Sequence, residues 1–194
     1  MSEQELIMVT DQAGHPLFTA SRNRVHAEGL WHETFHCFVV NREQRIVLLQ
    51  ERATEKKDFP NCLDITAAGH LLAGETVADG VRELEEELGL VRTMDQLEHV
   101  GIFLEELTLP GFIDRERTQV FLTESNQAIS DYHLQATEVK RLVAFSFDAF
   151  ATLGDETTTE VVSIEGERFG RNRFVPHPPE YWAMVERSIE QSSM

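Results

Sequence analysis

The segment AAGHLLAGETVADGVRELEEELGL, residues 67–90, carries the clearest structural signal in the chain. It opens with a glycine-rich loop, Gly69 to Gly74, and continues into a helix predicted to begin near Thr76. Thr76 is a suitable N-cap, and Asp79 at the third helical position would complete a capping box. Gly89 is a suitable left-handed C-cap, so the segment predicts a loop followed by a helix that ends at this glycine.

The predicted helix places three carboxylates, Glu83, Glu86 and Glu87, on one face, because residues three and four apart are helix neighbours. They repel one another, and after Arg82 no basic residue follows until Arg92. A divalent cation such as Mg²⁺ or Mn²⁺, which prefers carboxylates together with substrate phosphates, would relieve this repulsion. The alternative is a solvated acidic face in an acidic protein. Apolar residues at helical spacing would face a core: Val81, Leu84 and Leu88.

The whole chain is strongly acidic. It has 194 residues and a formal net charge of −17, which argues against sequence-independent binding to nucleic acid and against unassisted approach to anionic membranes. Its length and its 41% hydrophobic content predict one domain over residues 1–194. Cys37 and Cys62 lack a CxxC spacing, which favours structural thiols in a reducing compartment. With no signal segment and no long apolar run, we expect a cytoplasmic protein.

Hydrophobic alternation and turn signals predict strands on both sides of the acidic helix. The predicted strands are 6–9, 34–40, 45–50, 63–67, 99–109, 117–123 and 139–145, with a loop through 113–115. Ser146 would cap a short helix over 148–153, and a terminal helix is predicted over 180–191. Residues 15–24 and 157–174 carry no clear signal. We therefore predict an α/β fold with a mixed sheet between helices, a strand and loop extension over 1–32 and a helical segment over 175–194.

Nine positions of the segment 67–90 resemble the signature of the Nudix hydrolases. They are Gly69, Glu75, Arg82, Glu83, Leu84, Glu86, Glu87, Gly89 and Leu90. The resemblance implies an α/β/α sandwich that cleaves nucleoside diphosphates linked to another moiety, using a divalent metal held by this loop and helix. One departure is the spacer between Glu75 and Arg82, which has six residues, 76–81, where the family pattern has one more. A one-residue deletion would rotate a helix by roughly 100°, so we expect the loop to absorb it.

A second set of residues resembles the Nudix branch that contains isopentenyl-diphosphate isomerase and its hydrolase-like relatives. In order, these are Arg22, His26, Gly29, Leu30, Trp31, His32, Asn41, Arg52, Lys56, Lys57, Pro60, Gly69, His70 and Glu116. The resemblance implies one metal held by His26, His32, His70, Asp114 and Glu116. Imidazoles with carboxylates suit Mn²⁺, Fe²⁺ or Zn²⁺ better than Mg²⁺. A loop must bring His26 and His32 together; the alternative is that each histidine is an ordinary surface or packing residue.

One position separates isomerase from hydrolase chemistry in this resemblance. The isomerases place a catalytic cysteine immediately before the Gly–His pair, and this chain has Ala68 there. A methyl group cannot exchange a proton, and neither Cys37 nor Cys62 occupies the equivalent position. The isomerases also commonly lose the full set of helical glutamates, which this chain keeps. Both differences favour hydrolysis.

A dense group of cations precedes the glycine-rich loop: Arg52, Lys56 and Lys57. The resemblance implies that these cations grip a diphosphate, which guanidinium and ammonium groups do well. The alternative is a solvated loop at the end of a strand.

Together these patterns predict a metal-dependent hydrolase of a small organic diphosphate. Mg²⁺ or Mn²⁺ would be held by the three helical glutamates and the Gly69 carbonyl, and would lower the pKa of a bound water. Glu83 or Glu116 would act as general base, and Arg82 would orient Glu75 or Glu83. The alternatives are an isomerase-type enzyme acting on an isoprenoid diphosphate and a metabolite-binding module without turnover. The sequence is compatible with a monomer and with a homodimer.

Overall fold

The computed structural model describes residues 5–191. Its strands are β1 (Leu6–Thr10), β2 (Pro16–Ser21), β3 (Trp31–Asn41), β4 (Ile46–Arg52), β5 (Leu63–Asp64), β6 (Ala67–His70), β7 (Leu97–Leu109), β8 (Phe112–Glu124), β9 (Val139–Ser146), β10 (Glu160–Val162) and β11 (Arg168–Gly170). Its α-helices are α1 (Arg22–Glu28), α2 (Arg82–Leu88), α3 (Phe147–Ala151) and α4 (Pro179–Gln191). The predicted extension and terminal helix include residues 1–4 and 192–194, which lie outside the described residues.

The first nine strands form one mixed sheet with β3 at its centre. β3 pairs antiparallel with β4 and β6 and parallel with β8, and β8 pairs antiparallel with β7. β9 and β5 join the sheet through β4, and β1 and β2 extend it beyond the start of β3. Because β3 and β8 are parallel, His32 lies opposite Glu116 in the register. This pairing brings distant polar residues to one region of the sheet.

Alternation along the central strands separates two apolar cores. Phe38 and Val40 of β3 belong to the core beneath α3 and α4, which includes Tyr181 and Trp182. The intervening residues of β3 face the opposite core, which includes Leu84 and other apolar residues of α2. Helices therefore cover both faces of the mixed sheet, which confirms the predicted α/β/α sandwich. None of the helices within residues 5–191 is long and apolar enough to span a bilayer.

The predicted helix after the glycine-rich loop begins as a 3₁₀-helix, Val77–Val81, before it becomes α2. The Asp79 carboxylate accepts hydrogen bonds from the Thr76 amide and hydroxyl, both at 2.7 Å, and Gly89 ends α2 in the left-handed conformation. Five 3₁₀ residues at roughly 120° each rotate the chain as far as six α-helical residues at roughly 100°. The 3₁₀ turns, rather than the loop, therefore compensate for the short spacer.

Two local predictions were wrong, and two segments without a clear sequence signal contain regular structure. Residues 15–24 contain β2 and the start of α1, and residues 157–174 contain the β10–β11 hairpin. The predicted loop at 113–115 belongs to β8, which pairs with β7 from its first residue. Gly69 lies in β6 opposite Phe35, not in a loop. Gly69 of β6 and Asp114 of β8 line a cleft instead of the apolar core. Glycine and charged residues at such positions resemble a loop in the sequence.

Candidate active site

A cleft of about 870 Å³ opens at the polar end of the central strands. β3, β4, β6 and β8 provide most of its walls, and β7, α2 and the segment before α4 complete it. The lining includes Thr34, His36, Gln50, Arg52, Asp64, Ala68, Gly69, His70, Glu87, Glu105, Asp114, Glu116 and His177. Lys56 and Arg22 also line it. Of the sequence-predicted site residues, this lining contains Arg52, Lys56, Gly69, His70, Glu87, Asp114 and Glu116; it does not contain His26, His32, Lys57, Glu83 or Glu86.

Three elements deliver three histidines to the same point. His26 lies in the last turn of α1, His32 in the second position of β3 and His70 at the end of β6. Their ring centroids are 5.0–5.3 Å apart. Gly29 ends α1 with φ 63°, and a Cβ there would lie 2.7 Å from Ile113, so the reversal between the first two histidines requires glycine.

Four of the six ring nitrogens of this histidine cluster (His26, His32 and His70) lack hydrogen-bond partners among the described residues. Nε2 of His26, Nε2 of His32 and both ring nitrogens of His70 are buried and unpartnered, as is Oδ1 of Asp114. That oxygen lies 3.4 Å from His26 Nε2 and 3.5 Å from His32 Nε2. One ligand atom from each histidine lies within 4.8 Å of the others, and His32, Asp114 and Glu116 form a second such group. Unpartnered buried polar atoms are costly, and a bound cation would satisfy them.

The protonation of the cluster suits a metal. His32 Nδ1 lies 3.0 Å from the Leu30 carbonyl, which can only accept, so Nδ1 carries the proton and Nε2 presents its lone pair. Burial lowers the pKa of His32 and His70. Burial opposes ionisation of Asp114, but the neighbouring His26 and His32 lower its pKa overall. The donor set is neutral imidazole with carboxylate, which fits a transition-metal dication.

The three glutamates predicted to bind metal differ in burial. Glu83 and Glu87 are buried, whereas Glu86 is exposed. Glu87 Oε2 accepts from Gln50 Nε2 at 3.1 Å and from the Ala68 amide at 3.2 Å. Burial raises the pKa of Glu83 to about 7, and burial with the Glu83 charge raises the pKa of Glu87 to about 8. The three oxygens do not form a group within 4.8 Å among the described residues, so this set is less converged than the histidine cluster.

Arg82 donates hydrogen bonds to three glutamates around this helix. Its guanidinium donates to both oxygens of Glu75 at 2.9 and 3.1 Å, so the short spacer preserves this pair. It also donates to Glu83 at 2.6 Å and to Glu86 at 3.1 Å. Arg82 and Glu83 are absent from the cleft lining, and a Cβ on Gly69 would lie 2.0 Å from Glu83 Oε1. Arg82 therefore contacts both Glu75 and Glu83, as its predicted role in orienting these glutamates requires.

The predicted phosphate-binding cations differ in position. Arg52 lines the cleft and donates to Asp64 Oδ2 at 2.8 Å, and Lys56 pairs with Glu138. Lys57 lines a neighbouring pocket instead. Arg22 lines both cavities, and its buried Nε is unpartnered among the described residues. Sequence reasoning matched Arg22 to the isomerase-like branch but gave it no role.

Sequence reasoning also missed a buried relay that crosses the cleft wall. Asp64 binds both Arg52 and His177, and His177 Nδ1 lies 2.9 Å from Glu105 Oε2. Burial alone would lower the pKa of His177, but the two carboxylates raise it to about 10. Nearby, the Tyr181 hydroxyl lies 2.9 Å from His36 Nδ1. The available signal was a histidine between prolines in the stretch VPHPP, residues 175–179.

Comparison with known proteins agrees with the fold. The NUDIX domain matches residues 7–162. An uncharacterised Nudix hydrolase of Clostridium acetobutylicum is 35% identical over 201 residues, covering 96% of this chain and 98% of the relative. Isopentenyl-diphosphate Delta-isomerase of Corynebacterium diphtheriae is 31% identical over 152 residues, covering 74% and 79%. The crystal structure of DR0079 from Deinococcus radiodurans has a TM-score of 0.59 at 17% identity, covering 76% of this chain and 87% of that one.

The chain therefore belongs to the Nudix family. Within that family it is an enzyme of the Nudix hydrolase type, with isomerase-like relatives. Nudix enzymes generally use divalent metals and act on small molecules.

Proposed function

We propose that this protein hydrolyses a small organic diphosphate, such as a nucleoside diphosphate linked to another group, with the help of Mn²⁺ or Mg²⁺. The observation that carries the proposal is the meeting, in one cleft, of unpartnered metal-type ligand atoms with cations suited to phosphate. Arg22, Arg52 and Lys56 would bind the phosphate groups, because guanidinium and ammonium groups suit phosphate oxygens. Lys57 would contribute from the neighbouring pocket.

The residues present fit a divalent metal. His26, His32, His70, Asp114 and Glu116 would hold one ion, and Glu83, Glu86, Glu87 and the Gly69 carbonyl would hold another beside the phosphates. A bound dication offsets phosphate charge and makes a water molecule more acidic. The unpartnered nitrogens support the first set, and the buried glutamates with raised pKa support the second.

Glu116 is the better candidate for the general base. It lines the cleft, and burial together with the Asp114 charge raises its pKa well above the usual value. Glu83 has the other suitable pKa but lies behind Gly69, outside the cleft lining. A carboxylate with a raised pKa accepts a proton more readily near neutral pH, which suits general-base catalysis.

An isomerase acting on an isoprenoid diphosphate is the second candidate, because isomerases occur among the relatives. Ala68 lines the cleft at the position where the resemblance expects a thiol. Within the described part of the chain the cleft lining contains no cysteine, and burial raises the pKa of both Cys37 and Cys62. These observations favour hydrolysis. Homodimer formation and cytoplasmic location stay predictions from the sequence.

Phosphate-bond cleavage in a panel of organic diphosphates tests the proposal, with Mn²⁺, with Mg²⁺ and with a chelator. We expect turnover only with metal. Glu87→Gln should lower kcat/KM strongly and Glu86→Gln less, whereas Glu85→Gln, an exposed neighbour on the same helix, should not change it. Unchanged hydrolysis in both Glu86→Gln and Glu87→Gln would exclude a metal on the acidic helix. Tight binding without turnover would favour a binding module.

A further inference from the structure

The Glu105 carboxylate lies in the cleft wall with part of its hydrogen-bond acceptor capacity unused. It lies on β7 opposite Glu116, and its side chain is 10% exposed. Among residues 5–191 its hydrogen-bond partner is His177, whose Nδ1 lies 2.9 and 3.1 Å from the two carboxylate oxygens. A carboxylate has roughly four acceptor positions, and one imidazole N–H fills one or two of them. Acceptor capacity is therefore left over inside a largely buried cleft.

The carboxylate is fixed in place by a relay of alternating charges. His177 Nε2 lies 3.1 Å from Asp64 Oδ1, and Arg52 donates to Asp64 Oδ2 at 2.8 Å. Carboxylates only accept, so an imidazole held between two of them donates from both nitrogens and carries a positive charge. The His177 ring packs against Tyr181 and Trp182 of α4, with centroids 4.9 and 5.4 Å away. Glu105 is oriented by this relay.

The position of the relay relates it to the substrate. Arg52, at one end, belongs to the proposed phosphate-binding cations, and Glu105, at the other end, lines the same cleft. An apolar substrate chain placed there would remove water from the free acceptor positions of Glu105 without replacing its hydrogen bonds, which is costly. A substrate hydroxyl or amino group would replace them.

We propose that Glu105, positioned by His177, binds a hydrogen-bond donor, a hydroxyl or amino group, on the organic part of the diphosphate. The inference rests on the proposed function and narrows its substrate class to donor-bearing diphosphates, as opposed to purely hydrocarbon ones. The positioning residue lies at 177, beyond the residues 7–162 that match the NUDIX domain. The C-terminal segment thus selects the substrate as well as completing the fold.

A matched pair of probes tests this: dimethylallyl diphosphate and its 4-hydroxy derivative, which differ by one hydroxyl group. Affinity is measured by calorimetry and hydrolysis by phosphorus NMR, both with metal present. We expect the wild-type protein to favour the hydroxylated probe by at least about tenfold in Kd, and in kcat/KM where turnover occurs. Glu105→Leu should bring this ratio close to one. Equal affinity of wild-type protein for the two probes, including no binding of either, would overturn the inference.

Two further variants separate recognition from folding. Glu106→Leu is the control, because Glu106 is the next residue on β7 and pairs with Arg115 outside the cleft; its ratio should match wild type. Glu105→Gln keeps an acceptor oxygen and should retain part of the preference. A Glu105→Leu protein that weakens both probes equally would contradict specific recognition. If the wild-type protein hydrolyses neither probe but keeps the expected affinity ratio, the proposed hydrolysis is overturned and this inference stands.

Discussion

The histidine cluster and His177 meet the same cleft, through His70 and His177, but have opposite surroundings. The histidine cluster presents ring nitrogens that make no hydrogen bond to the described residues, and burial lowers the pKa of His32 and His70. His177 is equally buried, but each of its nitrogens faces a carboxylate, and its pKa rises to about 10. Burial is therefore common to both, and the partners decide the charge. Neutral imidazoles without hydrogen-bond partners suit a metal. The charged imidazolium of His177, with a carboxylate at each nitrogen, instead orients the side chains of the cleft wall.

The largest effect should come from replacing His177, whose two ring nitrogens both face carboxylates. His177→Phe leaves Asp64 and Glu105 buried without their shared cation, which should cost about 3–5 kcal/mol of unfolding free energy. Urea denaturation measures this loss. Adding Glu105→Leu to His177→Phe should recover part of the stability, because one stranded carboxylate is then removed. A single variant as stable as wild type would contradict the charged relay.

Replacing a residue of the histidine cluster should lower activity and leave stability nearly unchanged. His70→Asn should lower activity on the order of 100-fold through loss of a metal ligand, with little loss of stability in the presence of chelator. Metal content by plasma emission spectrometry and kcat/KM check these outcomes. His15→Asn, on the exposed turn between β1 and β2, is the control and should retain both metal and activity. Full metal content in His70→Asn would contradict the histidine site.

The buried glutamates of α2 predict a pH dependence of the metal-free protein. Their folded pKa values, about 7 for Glu83 and about 8 for Glu87, exceed the ordinary value of 4.5, so the folded state binds more protons than the unfolded state. Stability is then greatest below the ordinary pKa and falls as pH rises through the folded values. We therefore expect the free energy of unfolding to fall as pH rises from roughly 5.5 to 8.5.

Urea denaturation across that pH range, in chelator, measures the dependence. The double variant Glu83→Gln, Glu87→Gln should show a clearly flatter profile, because the remaining slope comes from other groups such as His177. Added Mn²⁺ should reduce the loss at high pH. A steeper profile in the double variant would show that these carboxylates are not the source.

The smallest effect concerns the contact between β6 and α2. Gly69→Ala places a Cβ 2.0 Å from Glu83 Oε1, so the carboxylate must move. We expect a stability loss of about 1–3 kcal/mol together with reduced metal-dependent activity. Gly154→Ala is the comparison, because Gly154, like Gly69, has no positive φ and its added Cβ meets Ala183 at an ordinary 3.4 Å. An unchanged Gly69→Ala protein would show that this close approach is not required.

Local sequence signals predicted much of this molecule. The capping box, the C-cap glycine and the apolar spacing of α2 were confirmed because each depends on residues within one or two turns of helix. The alternation of β3 and β4 predicted central strands for the same reason. The convergence of His26, His32, His70 and Asp114 followed from family resemblance, and the structure brings these residues together.

Long-range partners could not be predicted in the same way. Asp64, Glu105 and His177 lie far apart in the chain, and their relay depends on the position of the segment before α4 against β5 and β7. The start of β8 was missed because its cleft-facing residues are charged, which imitates a loop. The exposure of Glu86 was not predicted, because helical spacing shows only which residues share a face of α2. How deeply each of them is buried depends on how α2 packs against the sheet.

The most direct test of the central claim follows both ends of the substrate at once. Phosphorus and proton NMR of an organic diphosphate with this protein report cleavage of the phosphoanhydride bond and any rearrangement of the carbon chain. With Mn²⁺ we predict new phosphate resonances from bond cleavage and an unchanged carbon skeleton, and no reaction in chelator. Conversion of isopentenyl to dimethylallyl diphosphate with the diphosphate intact, or cleavage that persists in chelator, would contradict the account.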